Sequence, residues 1–257
     1  MEIDKLFDIK DKIVVVPGGN GKLGMFVSKA LSEKGAKVII LGRNNKSEKN
    51  AINILRNSYF YKCDITNEKE IEKVSKKIID KFKRVDVLIN CAGLSMPGKI
   101  FELTTEMWDD SYAVNIKGAF LCVKYFGEIM RKQKKGNIIH FGSIYGSVSS
   151  DENIYSDGKF ESSLIYATTK SALINFTRYL ATHLSKYGIR ANLLSPGGFI
   201  DERNKDEFFR KKYCEKTPLG RMADEDDLKG VILFLASDAS RYITGENILV
   251  DGGWTAW

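Results

Sequence analysis

Tyr166 and Lys170 stand four residues apart at the head of a segment whose apolar residues recur at helical intervals, so a phenol and an ammonium share one helix face. A phenol so placed can exchange a proton with a bound oxygen once its pKa is brought from about 10 toward 7, a change of roughly 4 kcal/mol. One cation about 5 Å away supplies roughly 3 kcal/mol of that at an effective dielectric of ~20. Lys170 is therefore expected to make a base of Tyr166 without a metal. The same spacing occurs in Tyr155 and Lys159, but there Gly158 intervenes in a run rich in Ser, Asp and Asn. Such a run reads as loop, which leaves Tyr166 as the candidate.

The elements that must hold these groups follow from apolar patterning. Strands are expected at 12–16, 37–41, 59–62, 85–89, 137–141, 189–194 and 248–250, with helical patterns between them, the first over 22–34 ending at Gly35. Strands alternating with helices imply a parallel sheet covered on both faces, an α/β doubly wound Rossmann fold of seven strands. In such a sheet ligands lie beyond the carboxyl ends of the strands. No Pro-rich linker or repeat divides the 257 residues, so one domain is expected, with a cofactor half over about 1–140 and a catalytic half over about 141–257.

Several strand ends carry groups suited to a nucleotide. Gly18, Asn20, Gly21, Lys22, Leu23 and Gly24 follow the first strand and open a helix, where glycines let backbone amides approach a pyrophosphate. The second strand ends in Gly42 and Arg43, with no carboxylate to hold the ribose hydroxyls of NAD. Arg43, with Lys22 as a second cation, suits a 2′-phosphate, which favours NADP(H) and leaves NAD(H) as the alternative.

In this order, with Asn90, Ala92 and Gly93 after the fourth strand, Asn115, Ser143 after the fifth, and Pro196 and Gly197 after the sixth, the chain resembles the short-chain dehydrogenase/reductase superfamily, classical branch. The likeness spans nearly the whole chain. It implies that Tyr166 exchanges the proton while hydride moves to or from nicotinamide, that Ser143 binds the reacting oxygen, that Lys170 also binds the nicotinamide ribose, and that Asn115 holds a relay water. It further implies that Asp64 and Ile65 meet the adenine, that Pro196, Gly197 and Phe199 also touch the cofactor, that Phe199 and the segment to Thr217 form a substrate loop, and that the protein is a homodimer or homotetramer. Two features depart from the pattern. Pro17 and Lys22 replace a threonine and a glycine, giving the glycine spacing of the extended branch with its sugar-nucleotide epimerases and dehydratases. An insertion also falls within 148–165, leaving twenty-two residues between Ser143 and Tyr166.

The polar insertion and Arg203, Lys205, Arg210 and Lys211 suggest a polar, even phosphorylated, sugar, and the insertion resembles dehydrogenases of bacterial surface-glycan or flagellin-sugar synthesis. The competing readings are an epimerase or dehydratase that retains its cofactor, and a non-catalytic cofactor-binding protein. Cys63, Cys91, Cys122 and Cys214 are widely spaced and only two histidines accompany them, so no metal is expected. The net charge of +7 is spread, with its densest run, Arg131 to Lys135, at a helix end; neither nucleic acid nor membrane is expected as a partner. The absence of an apolar leader or span points to the cytoplasm.

Overall fold

The computed structural model describes residues 2–43, 55–156, 163–200 and 206–257. Asn44, Asp157 to Lys159, Arg203 and Lys205 lie outside these residues. Seven strands, β1 (Ile13–Pro17), β2 (Lys37–Gly42), β3 (Ser58–Lys62), β4 (Val87–Asn90), β5 (Gly136–Phe141), β6 (Ile189–Pro196) and β7 (Asn247–Val250), form one sheet in the order β3-β2-β1-β4-β5-β6-β7. All neighbouring pairs are parallel. The strand order reverses between β1 and β4, which creates a crevice beyond their carboxyl ends. Each expected strand is present, with ends shifted by one or two residues.

The apolar runs are continuous because both sheet faces are buried. Along β1, Ile13 and Val15 face one core cluster while Val14 and Val16 face the other, the two-residue period of a strand. The described helices are α1 (Ile3–Phe7), α2 (Lys22–Glu33), α3 (Glu68–Phe82), α4, α5 (Leu164–Leu184), α6 (Glu207–Lys216) and α7 (Glu225–Ala236). Helix α4 is a rod of three α-helical segments, Thr105–Tyr112, Gly118–Cys122 and Glu128–Gln133, joined by π-helical turns Ala113–Lys117 and Val123–Gly127. Val27 and Leu31 of α2 pack with Leu228, Ile232 and Leu235 of α7 on one face. Ile71 and Ile78 of α3, Phe126 and Met130 of α4 and Leu180 of α5 cover the other.

A third, smaller cluster joins Ile144, Ile154, Tyr213, Met222 and Trp254 beyond the end of β5. It fixes the insertion. Ile154, 1% exposed, anchors a 3-10 turn (Glu152–Ile154) whose cap, Asp151, accepts from the Asn153 amide at 2.9 Å. No described helix is long and apolar enough to cross a membrane.

Candidate active site

Ser163 caps α5 by accepting the Tyr166 amide at 3.3 Å, so the cap that starts the helix also fixes Tyr166 in its first turn. Lys170 follows one turn later. Its Nζ lies 5.5 Å from the centroid of the Tyr166 ring and donates to the Phe141 carbonyl at 2.7 Å. Lys170 is 4% exposed, and burial lowers its pKa to about 8. Ser143 sits just past β5, its Oγ accepting from the Tyr145 amide at 3.2 Å. Burial pushes the Tyr166 phenol above its ordinary pKa, and a hydrogen bond from Ser143 pulls it back. In the cofactor-free protein burial is thus the largest influence on the phenol and acts opposite to the lowering expected from Lys170.

Asn115 lies in the first π-helical turn of α4, a distortion that often marks functional positions. Its Oδ1 accepts from the Leu94 amide at 2.7 Å, and its Nδ2 donates to the Leu94 carbonyl and to Thr169 Oγ1, both at 2.9 Å. One buried amide thus clamps the chain after β4 to helix α5. A Cβ on Gly93 would lie 3.7 Å from Lys170 Nζ and 3.8 Å from Asn115 Oδ1. Lys170 Nζ and Asn115 Oδ1 thus both lie within ordinary contact distance of the space beside Gly93.

The crevice at the strand-order reversal is a cleft of about 300 Å³ lined by Gly18, Asn20, Gly21, Gly42, Arg43, Asp64, Ile65, Ala92 and Gly93, together with Cys63, Cys91 and Val114. Gly21 caps α2 without any side-chain hydrogen bond, so the first amides of that helix are left for an anion. Gly18 has a φ of +74°, and a Cβ there would meet Ala92 at 2.6 Å. Gly42 is required in turn by the Asn20 side chain, which would be 2.7 Å from a Cβ. Arg43 is exposed at the rim. Free helix amides at the reversal of strand order, close-packed glycines and an exposed Arg43 are features that could hold a dinucleotide.

Five expected site residues are placed differently. Lys22 Nζ donates to the Ile200 carbonyl at 2.6 Å, tying α2 to the chain after β6 rather than joining Arg43. Leu23 packs against the core, and a Cβ on Gly24 would lie 2.1 Å from the Gly18 carbonyl, so both shape the loop from behind. Asn90 is buried beneath the cleft, its Nδ2 3.0 Å from His140 Nδ1. Phe199 lies 6.3 Å, ring to ring, from Phe26 of α2. Asp64 does line the cleft, but its Oδ1 accepts from the Thr66 amide and hydroxyl at 2.9 and 2.8 Å, a local turn.

A second pocket, of about 220 Å³, opens beside Ser143 and Tyr166. Pro196, Gly197 and Gly198 form its floor, and Tyr145, Tyr155, Phe209 and Tyr213 its walls. Tyr213 accepts the Gly198 amide at 2.5 Å and stacks on Trp254 at 4.2 Å. Arg210 and Lys211 are exposed on α6 and do not line the pocket. Sequence patterning missed Tyr145, Tyr155, Phe209 and Tyr213. Tyr155 lies in a segment whose composition reads as loop, and nothing in the local pattern indicates that Ile154 turns that loop inward.

The family model for enoyl-(acyl carrier protein) reductase matches residues 21–255. An NAD-dependent glycerol dehydrogenase from Listeria innocua is 32% identical over 257 residues, covering 98% of this chain and 97% of its own. A short-chain dehydrogenase from Leptospira borgpetersenii with bound NAD+ superposes with a TM-score of 0.88 at 36% identity, over 99% of this chain and 97% of the other. A gluconate 5-dehydrogenase from Burkholderia cenocepacia, in complex with NADP and tartrate, gives a TM-score of 0.87 at 25% identity over 98% of both chains.

Proposed function

The chain belongs to the short-chain dehydrogenase/reductase superfamily, and on that premise we propose that it interconverts a secondary alcohol and a ketone on a small hydroxylated substrate of polyol or keto-sugar type, with NADP(H) preferred to NAD(H). The observation that carries this reading is that Ser143 and Tyr166 line one pocket, with Lys170 Nζ 5.5 Å from the centroid of the Tyr166 ring. When bound, the nicotinamide supplies or accepts the hydride. In reduction Tyr166 gives its proton to the carbonyl oxygen while Ser143 donates a hydrogen bond to the charge developing there. Lys170, held by the Phe141 carbonyl, supports the phenolate left behind, and Asn115 fixes the turn through Leu94 that faces it. In oxidation the same proton transfer runs in reverse.

No Arg or Lys is among the described residues lining the substrate pocket, which favours an uncharged sugar or polyol over a phosphorylated one. A surface-glycan sugar without a nucleotide would belong to the favoured class. The relatives named for glycerol and gluconate support it as well. Arg43 beside Gly42, with no carboxylate among the described residues at the end of β2, supports NADP(H). Exposed Phe120 on α4 and Leu164 and Tyr179 on α5 support assembly into a homodimer or homotetramer through those helices.

Tyr166→Phe tests the reaction. Turnover of a keto-sugar should fall by about 10²–10⁴-fold while calorimetric NADPH affinity is retained. Turnover that survives the substitution would rule out Tyr166 as the proton donor, and binding of neither NADPH nor NADH would rule out the oxidoreductase.

A further inference from the structure

We infer that Tyr145, just after Ser143, and Tyr155, delivered by the insertion, form a specificity-determining hydroxyl pair that selects substrates carrying a hydroxyl next to the reacting carbon. The inference rests on the proposed alcohol–ketone reaction and adds what the enzyme reads in its substrate. Both phenols line the pocket that contains Ser143 and Tyr166, and their oxygens are 2.9 Å apart. A phenol both donates and accepts, so a bonded pair can take a further hydroxyl into its chain, and such chains strengthen one another at low dielectric. Burial and the neighbouring Tyr155 hold the Tyr145 phenol protonated, as a neutral hydrogen-bonding group rather than a second base.

The insertion is built to hold Tyr155 there. Ile154 is locked in the third core cluster, and the Tyr155 ring stacks on Phe209 of α6 at 5.4 Å and 17°. Asp151 pairs with Lys216 at the end of α6, and Ser156 donates to Asp206 at its start, 2.5 Å away. The insertion is thus tied to both ends of the helix that supplies Phe209 and Tyr213 to the same pocket. Aromatic rings offer the apolar surface that a sugar's C–H face can cover, and the phenol oxygens offer partners for its hydroxyls. A ketone without neighbouring hydroxyls would leave that pair facing an apolar group, which a site built for hydrogen bonding rejects.

Steady-state kinetics on dihydroxyacetone and acetone, with NADPH, test the inference in the wild-type enzyme, Tyr145→Phe and Tyr155→Phe. The wild type is expected to prefer dihydroxyacetone, and each variant to lower the ratio of the two kcat/KM values by about tenfold, mainly through KM for dihydroxyacetone. Lys216→Gln, which loosens the insertion and leaves both phenols in place, is expected to lower the ratio in the same direction by a smaller factor. A wild type with no preference, or a ratio unchanged in both tyrosine variants, overturns the assignment. Calorimetry separates the two levels: an enzyme that binds NADPH yet lacks the preference loses this inference alone, whereas one that binds neither NADPH nor NADH loses the reaction beneath it.

Discussion

The Lys170 ammonium donates to the Phe141 carbonyl oxygen at 2.7 Å, joining the second turn of α5 to the last residue of β5. Ser143 follows Phe141 by two residues and Tyr166 precedes Lys170 by four, so this one bond ties the segment that carries Ser143 to the helix that carries Tyr166. The cation is held at the cost of its hydration.

That cost is measurable. The Lys170 pKa is lowered from 10.5 to about 8 in the folded protein, so the charged form opposes folding. The penalty is complete below about pH 8 and is relieved as pH rises toward 10.5, the unfolded value. Lys170→Met should therefore abolish turnover yet stabilise the cofactor-free protein by about 2 kcal/mol at neutral pH, after allowing for the lost hydrogen bond. The gain should shrink at higher pH. Urea unfolding at pH 7 and pH 10 checks this, and a variant less stable than wild type at pH 7 would contradict it.

Arg43 is expected to act on the cofactor alone. Arg43→Ala should weaken NADPH binding by about tenfold, at the lower end for a charge-assisted hydrogen bond because the side chain is exposed, and leave NADH binding nearly unchanged. The wild-type preference should also decay with added salt. Calorimetry with both cofactors at two ionic strengths decides the matter, and equal losses for NADH and NADPH would remove Arg43 as the discriminator.

His140 of β5 is buried against Phe176 of α5, the two rings 5.4 Å apart, and burial lowers its pKa to about 3, with Lys170 adding to the effect. Because the unfolded imidazole titrates near 6.5, the stability it contributes is intact above that value and is lost as pH falls toward 3. The loss should approach about 1.4 kcal/mol per pH unit within that window. His140→Asn keeps an acceptor for the Asn90 amide and removes the titration, so its stability should change less between pH 6.5 and 4. Parallel acid-unfolding curves for variant and wild type would refute the assignment.

The sequence by itself determined the sheet, because seven apolar runs separated by helical periods can bury both faces only as a parallel, doubly wound layer. It also determined that Ser143 and the glycine loop follow strands and that Tyr166 and Lys170 share one helix face, since helix spacing and strand boundaries are local properties. Tertiary structure decided the rest. Lys22 turned to the Ile200 carbonyl and Phe199 to Phe26 because their partners lie 178 and 173 residues away in the chain, beyond any periodic signal. Whether the phenol or its cation would yield to burial depended on how deeply both sank, which no spacing encodes. Tyr155 had the same residue spacing to a lysine as Tyr166 but only a polar loop for context. Its place in the substrate pocket came from the burial of Ile154 and the ties to α6, contacts that exist only once the chain has closed on itself.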